Sequence, residues 1–148
     1  MSEAWRPKLV ALDVDGTLVD GMNVMSPAVR ESVRAIRESG IETVITTGRA
    51  IPGVLNTAGL LGFDDAYAIA SNGAIVFTYD PVEILNLVTF DASEAVRRVL
   101  EHVPDALVAV EDIGVGYRLN KPFPDGEING TMKVETVESL ISEPVTRV

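Results

Sequence analysis

Short apolar runs in the first half of the chain predict the strands of a sheet. The first run, Leu9 to Leu12, shows no alternation of polar and apolar residues. Such a run is typical of a central parallel strand that is covered on both faces. Further apolar stretches predict strands at 42–46, 66–70 and 75–78. We therefore expect a sheet whose first strand lies in its interior.

Apolar residues at helical spacing between these runs predict two helices. Ser26 and Pro27 are residue types preferred at the N-cap and at the first helical position, and Gly40 is well placed to end that helix. A second helix is expected over 51–61. The order strand, helix, strand, helix, strand predicts an α/β fold with a Rossmann-like parallel sheet and right-handed crossovers.

The pattern changes near Asp80, after which an α+β arrangement is expected. Its predicted elements are an extended piece at 84–90, a helix at 92–102, a strand pair at 106–110 and 114–119, a polar loop at 120–130, a helix at 136–141 and the beginning of a strand at 145–148. The sequence therefore predicts an α/β core domain over 1–80 and part of an α+β domain over 81–148.

Two aspartates follow the first predicted strand at a spacing that brings them together. On an extended chain, residues i and i+2 point to the same side, so Asp13 and Asp15 should share one small space while Val14 points into the core. Gly16 permits a sharp turn after the strand, and the Thr17 hydroxyl can hydrogen-bond locally to hold that turn.

Two neighbouring carboxylates repel each other, because an ordinary aspartate has a pKa of about 3.9 and is charged at neutral pH. A bound cation or a raised pKa relieves this repulsion. Mg²⁺ suits the site, since it takes one or two carboxylates and leaves its other positions to water and to substrate phosphate. In the alternative interpretation, Asp13 and Asp15 are only solvated turn residues.

A second polar group follows the second predicted strand. Parallel strands bring their carboxyl ends to one edge of a sheet, so Thr47, Gly48 and Arg49 should face Asp13 there. A hydroxyl can donate to a phosphate oxygen, and a guanidinium can neutralise one. These residues are therefore candidates for substrate binding. The alternatives are that Thr47 caps the next helix and that Arg49 is solvated or braces the loop.

Asn72 follows the third predicted strand and is a further candidate for substrate binding at the same edge. Asn72 and Gly73 also form a dipeptide that is typical of a hairpin turn, and the strand predicted directly after them favours that structural explanation.

Composition narrows the classes of function. The formal net charge of -10 argues against a nucleic acid or an anionic membrane as partner. The sequence contains no cysteine, which excludes disulfides and thiolate chemistry. No apolar run approaches the roughly 20 residues of a membrane span, and the first residues lack the apolar region of a signal peptide. A cytoplasmic protein is therefore expected.

The string Asp13-Val14-Asp15-Gly16-Thr17 resembles the first motif of the haloacid dehalogenase-like (HAD) phosphohydrolases. The resemblance implies that Asp13 attacks phosphorus and that Asp15 serves as general acid and base. It also implies Mg²⁺ held by the Asp13 side chain and the Asp15 carbonyl, with Thr47 as the phosphate-binding hydroxyl. An Asn-Gly-Ala segment similar to 72–74 lies beside the active site in the Cof-like, type IIB subfamily. The implied activity is hydrolysis of a small phosphorylated metabolite such as a sugar phosphate.

The resemblance covers only the first half of such a protein. HAD phosphatases also need a lysine that bridges the nucleophile and the phosphate, and a later acidic motif that completes the metal shell. Neither is found after Gly130. Two alternatives therefore stay open: a catalytically incomplete fragment or non-catalytic relative, and a phosphosugar mutase. An unfinished sheet edge also invites a homo-oligomer or a partner that completes the sheet.

Overall fold

The computed structural model describes residues 5–128 and 130–148. Its larger sheet has five strands in the order β1-β2-β3-β4-β5. Their bounds are β1 Leu9–Leu12, β2 Glu42–Thr46, β3 Tyr67–Ala70, β4 Ile75–Thr78 and β5 Glu83–Leu87. The pairs β1–β2 and β2–β3 are parallel, whereas β3–β4 and β4–β5 are antiparallel. The predicted α/β fold is confirmed, and the carboxyl ends of the first three strands share one edge of the sheet.

Two helices connect the parallel strands, as the sequence predicts. Helix α1 spans Pro27–Glu38, and the Ser26 hydroxyl accepts a hydrogen bond from the Val29 N–H at its N-terminus. Helix α2 spans Ile51–Leu61 and ends at Gly62, whose φ of 71° favours glycine. Gly40, with φ 78°, follows the end of α1 and turns the chain toward β2.

The second half contains a smaller sheet with one strand that the sequence did not predict. Its order is β6-β7-β8, with β6–β7 antiparallel and β7–β8 parallel. The bounds of these elements are α3 Ser93–His102, β6 Ala109–Asp112, β7 Gly116–Leu119, β8 Thr131–Val134 and α4 Val137–Leu140. Strand β8 directly follows the predicted loop over 120–130. Residue 129 of that loop lies outside the described residues. All four of its residues are exposed, so no buried face marks it in the sequence.

The predicted strand at 145–148 is wrong. Among the described residues, Val145 is the one member of this stretch in a β-bridge, an isolated antiparallel bridge with Phe90 in which each N–H donates to the other carbonyl at 2.9 Å. The bridge places the last residues beside the link between β5 and α3.

The prediction that β1 is a central strand is also wrong. Among the described residues β1 lies at the edge of the sheet, and its Leu9 side chain is 52% exposed. An apolar run indicates that a strand is suited to burial, but the strand is central in the sheet only if other strands pair with both of its edges. The free edge of β1 is therefore an unpaired row of backbone groups flanked by an apolar side chain.

Separate apolar clusters form the interior. The larger one lies between the five-stranded sheet and its helices and includes the fully buried Val14, Ile45 and Phe77. A small cluster joins the two halves, because Ala50, just before α2, packs against Tyr117 and Leu119 of β7. Strand β5 belongs to the larger sheet although it follows Asp80, and the division into two domains stays a prediction. Within the described residues, no helix is long and apolar enough to cross a membrane.

Candidate active site

A tight turn holds the two aspartates at the end of β1. The Val14 carbonyl accepts hydrogen bonds from the N–H groups of Thr17, Leu18 and Val19, at distances of 2.9 to 3.2 Å. Gly16 has φ 77°, which this turn requires and which other residues rarely adopt. Val14 is fully buried, whereas Asp13 and Asp15 are exposed. Burial therefore alternates here as the sequence predicts, but Asp13 and Asp15 line different cavities, and their sharing of one space stays a prediction.

Arg49 braces the turn through Asp15. Its Nε and Nη2 donate to the two Asp15 carboxylate oxygens at 3.0 and 2.5 Å. Nη2 also donates to Asn23 Oδ1 at 2.7 Å. The aliphatic part of Arg49 lies over Gly53 in α2, where an added Cβ would be 3.1 Å from the Arg49 Cβ. Bracing is one of the roles that the sequence leaves open for Arg49, and phosphate binding stays a prediction.

The ion pair changes the protonation of Asp15. The hydrogen bonds from Arg49 lower the pKa of the Asp15 carboxyl below its usual value, against a smaller opposing effect of desolvation. Asp15 is therefore an ionised carboxylate at neutral pH while Arg49 holds it. In this arrangement it is ready to accept a proton, and it must leave the ion pair before it can donate one efficiently.

Thr47 does not cap the following helix. Ala50 occupies the N-cap position of α2, and no side chain caps it. The Thr47 hydroxyl instead accepts a hydrogen bond from the Arg49 N–H at 3.2 Å, within its own loop. Its side chain is 7% exposed and lies in the wall of a cavity that also contains Asp13. That the Thr47 hydroxyl donates a hydrogen bond to a substrate phosphate stays a prediction.

The loop after β3 is tied to the loop after β2. The Asn72 N–H donates to the Thr47 carbonyl at 3.1 Å, and the Ser71 N–H donates to the Arg49 carbonyl at 2.9 Å. Ser71 and Asn72 have φ values of 52° and 56°, which are costly for non-glycine residues and are often found at functional sites. A Cβ on Gly48 would lie 2.7 Å from Asn72 Oδ1. Gly48 thus permits close approach of the Asn72 side chain.

Two adjoining cavities surround these loops. The smaller, of about 370 Å³, is lined by Asp13, Thr47 and Asn72 among others. The larger, of about 500 Å³, is lined by residues that include Asp15 and Arg49. Gly48 and Asn72 belong to the walls of both cavities. The structure therefore gathers all six candidate site residues at the carboxyl edge of the sheet, where open α/β sheets bind ligands.

Three residues of this region were missed by the sequence analysis. Asn23 lies in the loop after the aspartates, and Tyr117 and Arg147 belong to the second half of the chain. No motif marks them in the sequence. Arg118 and Lys121, two other cations of the second half, pair elsewhere: Arg118 Nη1 donates to the Ser139 carbonyl at 3.3 Å, and Lys121 Nζ donates to an Asp105 oxygen at 3.1 Å.

The donor groups at Asp13 fit a hard divalent cation. Neither a lysine nor an arginine among the described residues forms an ion pair with Asp13, and the Thr17 hydroxyl donates to its carboxylate at a long 3.4 Å. Within the described residues, no three acidic or histidine side chains cluster. A carboxylate oxygen without an ion-pair partner is the type of protein ligand that Mg²⁺ takes, one or two at a time.

Comparison with known proteins agrees with this geometry. The family of haloacid dehalogenase-like hydrolases matches residues 10–117. The phosphatase YwpJ of Bacillus subtilis is 36% identical over 74 residues, which are 50% of this chain and 25% of YwpJ. A haloacid dehalogenase-like hydrolase structure from B. subtilis has a TM-score of 0.64 and 26% identity, covering 78% of this chain and 40% of that protein.

The fold also matches the HAD subclass IIB sugar phosphatase BT4131, with a TM-score of 0.72 and 20% identity over 93% of this chain and 56% of that one. The predicted Cof-like, type IIB resemblance is therefore confirmed at the level of the fold. The chain spans little more than half of this relative and a quarter of YwpJ. The match over 10–117 includes the Asp13-to-Thr17 motif and both strand-end loops. The chain belongs to the haloacid dehalogenase-like hydrolase family.

Proposed function

We propose that this chain carries the nucleophile, the proton-transfer carboxylate and the first phosphate-binding loops of a Mg²⁺-dependent phosphohydrolase. The substrate class is a small phosphorylated metabolite. The observation that supports this most is the cavity that Asp13, Thr47 and Asn72 line together. An unpaired carboxylate beside hydroxyl and amide groups is an arrangement suited to attack on a bound phosphate. The names of the relatives, phosphatase and sugar phosphatase, support the same class.

In the proposed reaction Asp13 is the nucleophile. One of its carboxylate oxygens forms a bond to phosphorus while the bond from phosphorus to the ester oxygen breaks, which leaves an aspartyl-phosphate. Asp15 donates a proton to the departing oxygen. Asp15 then accepts a proton from water as that water attacks phosphorus, and the bond to Asp13 breaks to release inorganic phosphate.

The ion pair of Asp15 with Arg49 controls whether Asp15 is protonated and can act as the general acid. A phosphate dianion near the loop at 47–49 would compete with Asp15 for the guanidinium, since both are oxygen anions suited to bidentate pairing. Loss of that pairing raises the pKa of Asp15 toward its ordinary value and favours its protonation. Substrate binding would thereby prepare the general acid.

Thr47 and Asn72 position the phosphate. The Thr47 hydroxyl is held in its loop because it accepts the Arg49 N–H, and its own proton stays free to be donated to a phosphate oxygen. The Asn72 amide lies over Gly48 and can donate in the same space. Mg²⁺ bound by the Asp13 carboxylate and the Asp15 carbonyl would supply positive charge against the phosphoryl oxygens.

The test uses beryllofluoride, which mimics an acyl phosphate, together with p-nitrophenyl phosphate. We expect the chain to bind beryllofluoride only with Mg²⁺ and to hydrolyse the ester slowly, with both properties lost in Asp13→Asn. Fluorine NMR and steady-state absorbance measure them. An Asp64→Asn variant serves as control, because Asp64 is an exposed residue near the opposite end of the sheet. Equal beryllofluoride binding by wild type and Asp13→Asn would contradict the proposal.

A catalytically incomplete chain is the second candidate, and two observations favour it. Among the described residues, the two cavities contain arginine but no lysine as a cationic group. Within the described part of the chain, no strand pairs with the outer edge of β1. In this proposal a further strand, from a later segment of a longer protein, from another chain or from a second copy of this one, pairs with β1 and is needed for measurable turnover. Beryllofluoride binding without measurable turnover is the result that would distinguish this candidate from the first.

A further inference from the structure

Arg147 is a cation in the wall of the larger cavity, and it comes from the second half of the chain. Its guanidinium donates to the Gly48 carbonyl and lies 5.4 Å from the centre of the Tyr117 ring. No carboxylate among the described residues lies within ion-pair distance of it. The other arginine of the cavity, Arg49, is already paired with Asp15.

Most of the hydrogen-bonding capacity of Arg147 is unused. A guanidinium has five N–H donors, and the one hydrogen bond of this side chain among the described residues is the contact with the Gly48 carbonyl. The side chain is partly buried, so donors without acceptors carry a desolvation cost. A carboxylate or a phosphate accepts two parallel hydrogen bonds from a guanidinium and would remove that cost.

The surroundings hold Arg147 in place. The neighbouring Thr146 hydroxyl donates to the buried Glu111 at 2.7 Å, and the Glu111 N–H reaches the Arg147 carbonyl at 3.4 Å. Tyr117, against which the guanidinium packs, is 5% exposed. Thr146 and the Arg147 carbonyl are thus both attached to Glu111 of β6, which restrains the arginine and lowers the entropy lost on binding an anion.

The position of Arg147 relates it to the phosphate loop. The carbonyl it contacts belongs to Gly48, the residue next to Thr47, and Gly48 lies in the walls of both cavities. A ligand with its phosphate beside Asp13 and Thr47 would extend its other end into the larger cavity toward Arg147. Asp20 and Glu127 also line this cavity, but neither pairs with Arg147, and Arg49 is paired with Asp15. Among the described residues, Arg147 is therefore the cation of that wall without a carboxylate partner.

We propose that Arg147 binds a second anionic group on the leaving group, a carboxylate or a phosphate, and that the substrates are phosphate monoesters bearing such a group. The inference rests on the proposed function, since it extends the same site. It narrows the substrate class from phosphorylated metabolites in general to those with two anionic ends.

The test compares matched ligands on the full chain with Mg²⁺ by isothermal titration calorimetry. The first pair is 3-phosphoglycerate and glycerol 3-phosphate, which differ by a carboxylate. The second pair is fructose 1,6-bisphosphate and fructose 6-phosphate, which differ by a phosphate. We expect wild type to prefer the doubly anionic member of at least one pair by about tenfold to a hundredfold, the range for charge-assisted hydrogen bonds. The pair with the larger preference identifies the anion.

In Arg147→Gln the ratio of the two affinities should fall to about one. In Arg147→Lys it should be intermediate, because the charge remains but the two parallel N–H donors of the guanidinium are lost. Arg97→Gln, at an exposed position of α3 outside the cavity, should keep the wild-type ratio. Melting curves of all variants exclude unfolding as the cause.

Two outcomes overturn the inference separately from the proposed function. Equal binding of both members of each pair by wild type, or an unchanged ratio in Arg147→Gln, removes the role of Arg147 but leaves a phosphate site. Failure of every phosphate ester to bind removes the proposed function and the inference with it.

Discussion

The Ser71 hydroxyl donates a 2.5 Å hydrogen bond to the carboxylate of Glu111, forty residues further along the chain. Both side chains are buried, and the same Glu111 oxygen accepts the Thr146 hydroxyl at 2.7 Å. Ser71 immediately precedes Asn72, and Glu111 lies in β6. One carboxylate therefore connects a loop of the candidate site, the smaller sheet and the segment that carries Arg147.

We expect Glu111→Ala to destabilise the fold by about 2–4 kcal/mol, because two buried hydroxyls lose an acceptor and a cavity is left. Glu111→Gln keeps the side-chain volume and one acceptor oxygen, and should lose less stability than Glu111→Ala. Urea denaturation measures both. Glu94→Ala, at an exposed position of α3, is the control and should change stability by no more than about 0.5 kcal/mol. Equal stability of Glu111→Ala and wild type would show that the connection is energetically unimportant.

The pairing of Asp15 with Arg49 predicts a low titration midpoint for Asp15. Its pKa is lowered in the folded state, so the pair stabilises the fold above the unfolded-state pKa, about 3.9, and this contribution is lost as pH falls through the lower folded-state pKa. Asp15 is largely exposed, so the contribution should not exceed about 1 kcal/mol. Carbon-detected NMR titration of Asp15 measures the midpoint.

In Arg49→Gln the Asp15 midpoint should rise toward the ordinary value, whereas Arg34→Gln, on the exposed side of α1, should leave it unchanged. An Asp15 midpoint that is the same in wild type and Arg49→Gln would refute the pairing.

The two interior glycines of α2 make a matched pair. Gly59 has open space at its Cβ position, so Gly59→Ala should raise stability by about 0.5–1 kcal/mol through the helix propensity of alanine. A methyl on Gly53 would meet Arg49 at 3.1 to 3.2 Å. Gly53→Ala should gain less and should weaken phosphate binding, because Arg49 must shift. Urea midpoints and calorimetric titration with inorganic phosphate measure the two effects. If Gly53→Ala gains as much stability as Gly59→Ala and its phosphate affinity is unchanged, the packing of Arg49 on Gly53 is contradicted.

Removal of the Thr47 hydroxyl separates catalysis from folding. Thr47→Val keeps the shape of the side chain but cannot donate to a phosphate oxygen, and we expect it to lower kcat/KM or phosphate affinity by about tenfold to a hundredfold. Thr47→Ser restores the hydroxyl and should recover most of the loss. Ester hydrolysis or phosphate titration measures the effect, with melting temperature as a check. A serine variant as weak as the valine variant would indicate a packing role only.

Among residues 5–128 and 130–148, no strand pairs with the outer edge of β1, and this predicts self-association of the chain at high concentration. Leu9→Lys places a charge at this edge and should shift the population toward monomer in sedimentation velocity experiments. Leu60→Lys changes a similarly exposed leucine of α2, away from the sheet edge, and should not. Identical sedimentation of Leu9→Lys and wild type, with both associated, would place the contact elsewhere.

Local patterns determined much of this protein. Ser26 and Pro27 marked the beginning of α1, and the bounds of β1, β2, α2 and β4 follow from apolar runs and their flanking residues. The aspartate motif alone indicated the family and the edge of the sheet where the site lies. These features depend on neighbours within a few residues, which a sequence shows directly.

Tertiary structure decided the rest. The position of β1 at the sheet edge depends on which strands pair with it, and the exposed β8 carries no apolar face that could be recognised. Arg147 reaches Gly48 across 99 residues, and Glu111 reaches Ser71 across 40. No periodicity connects residues so far apart, because their contact arises only when the two halves of the chain pack together. The sequence thus determined the aspartate motif, and the packing of the two halves decided what surrounds it.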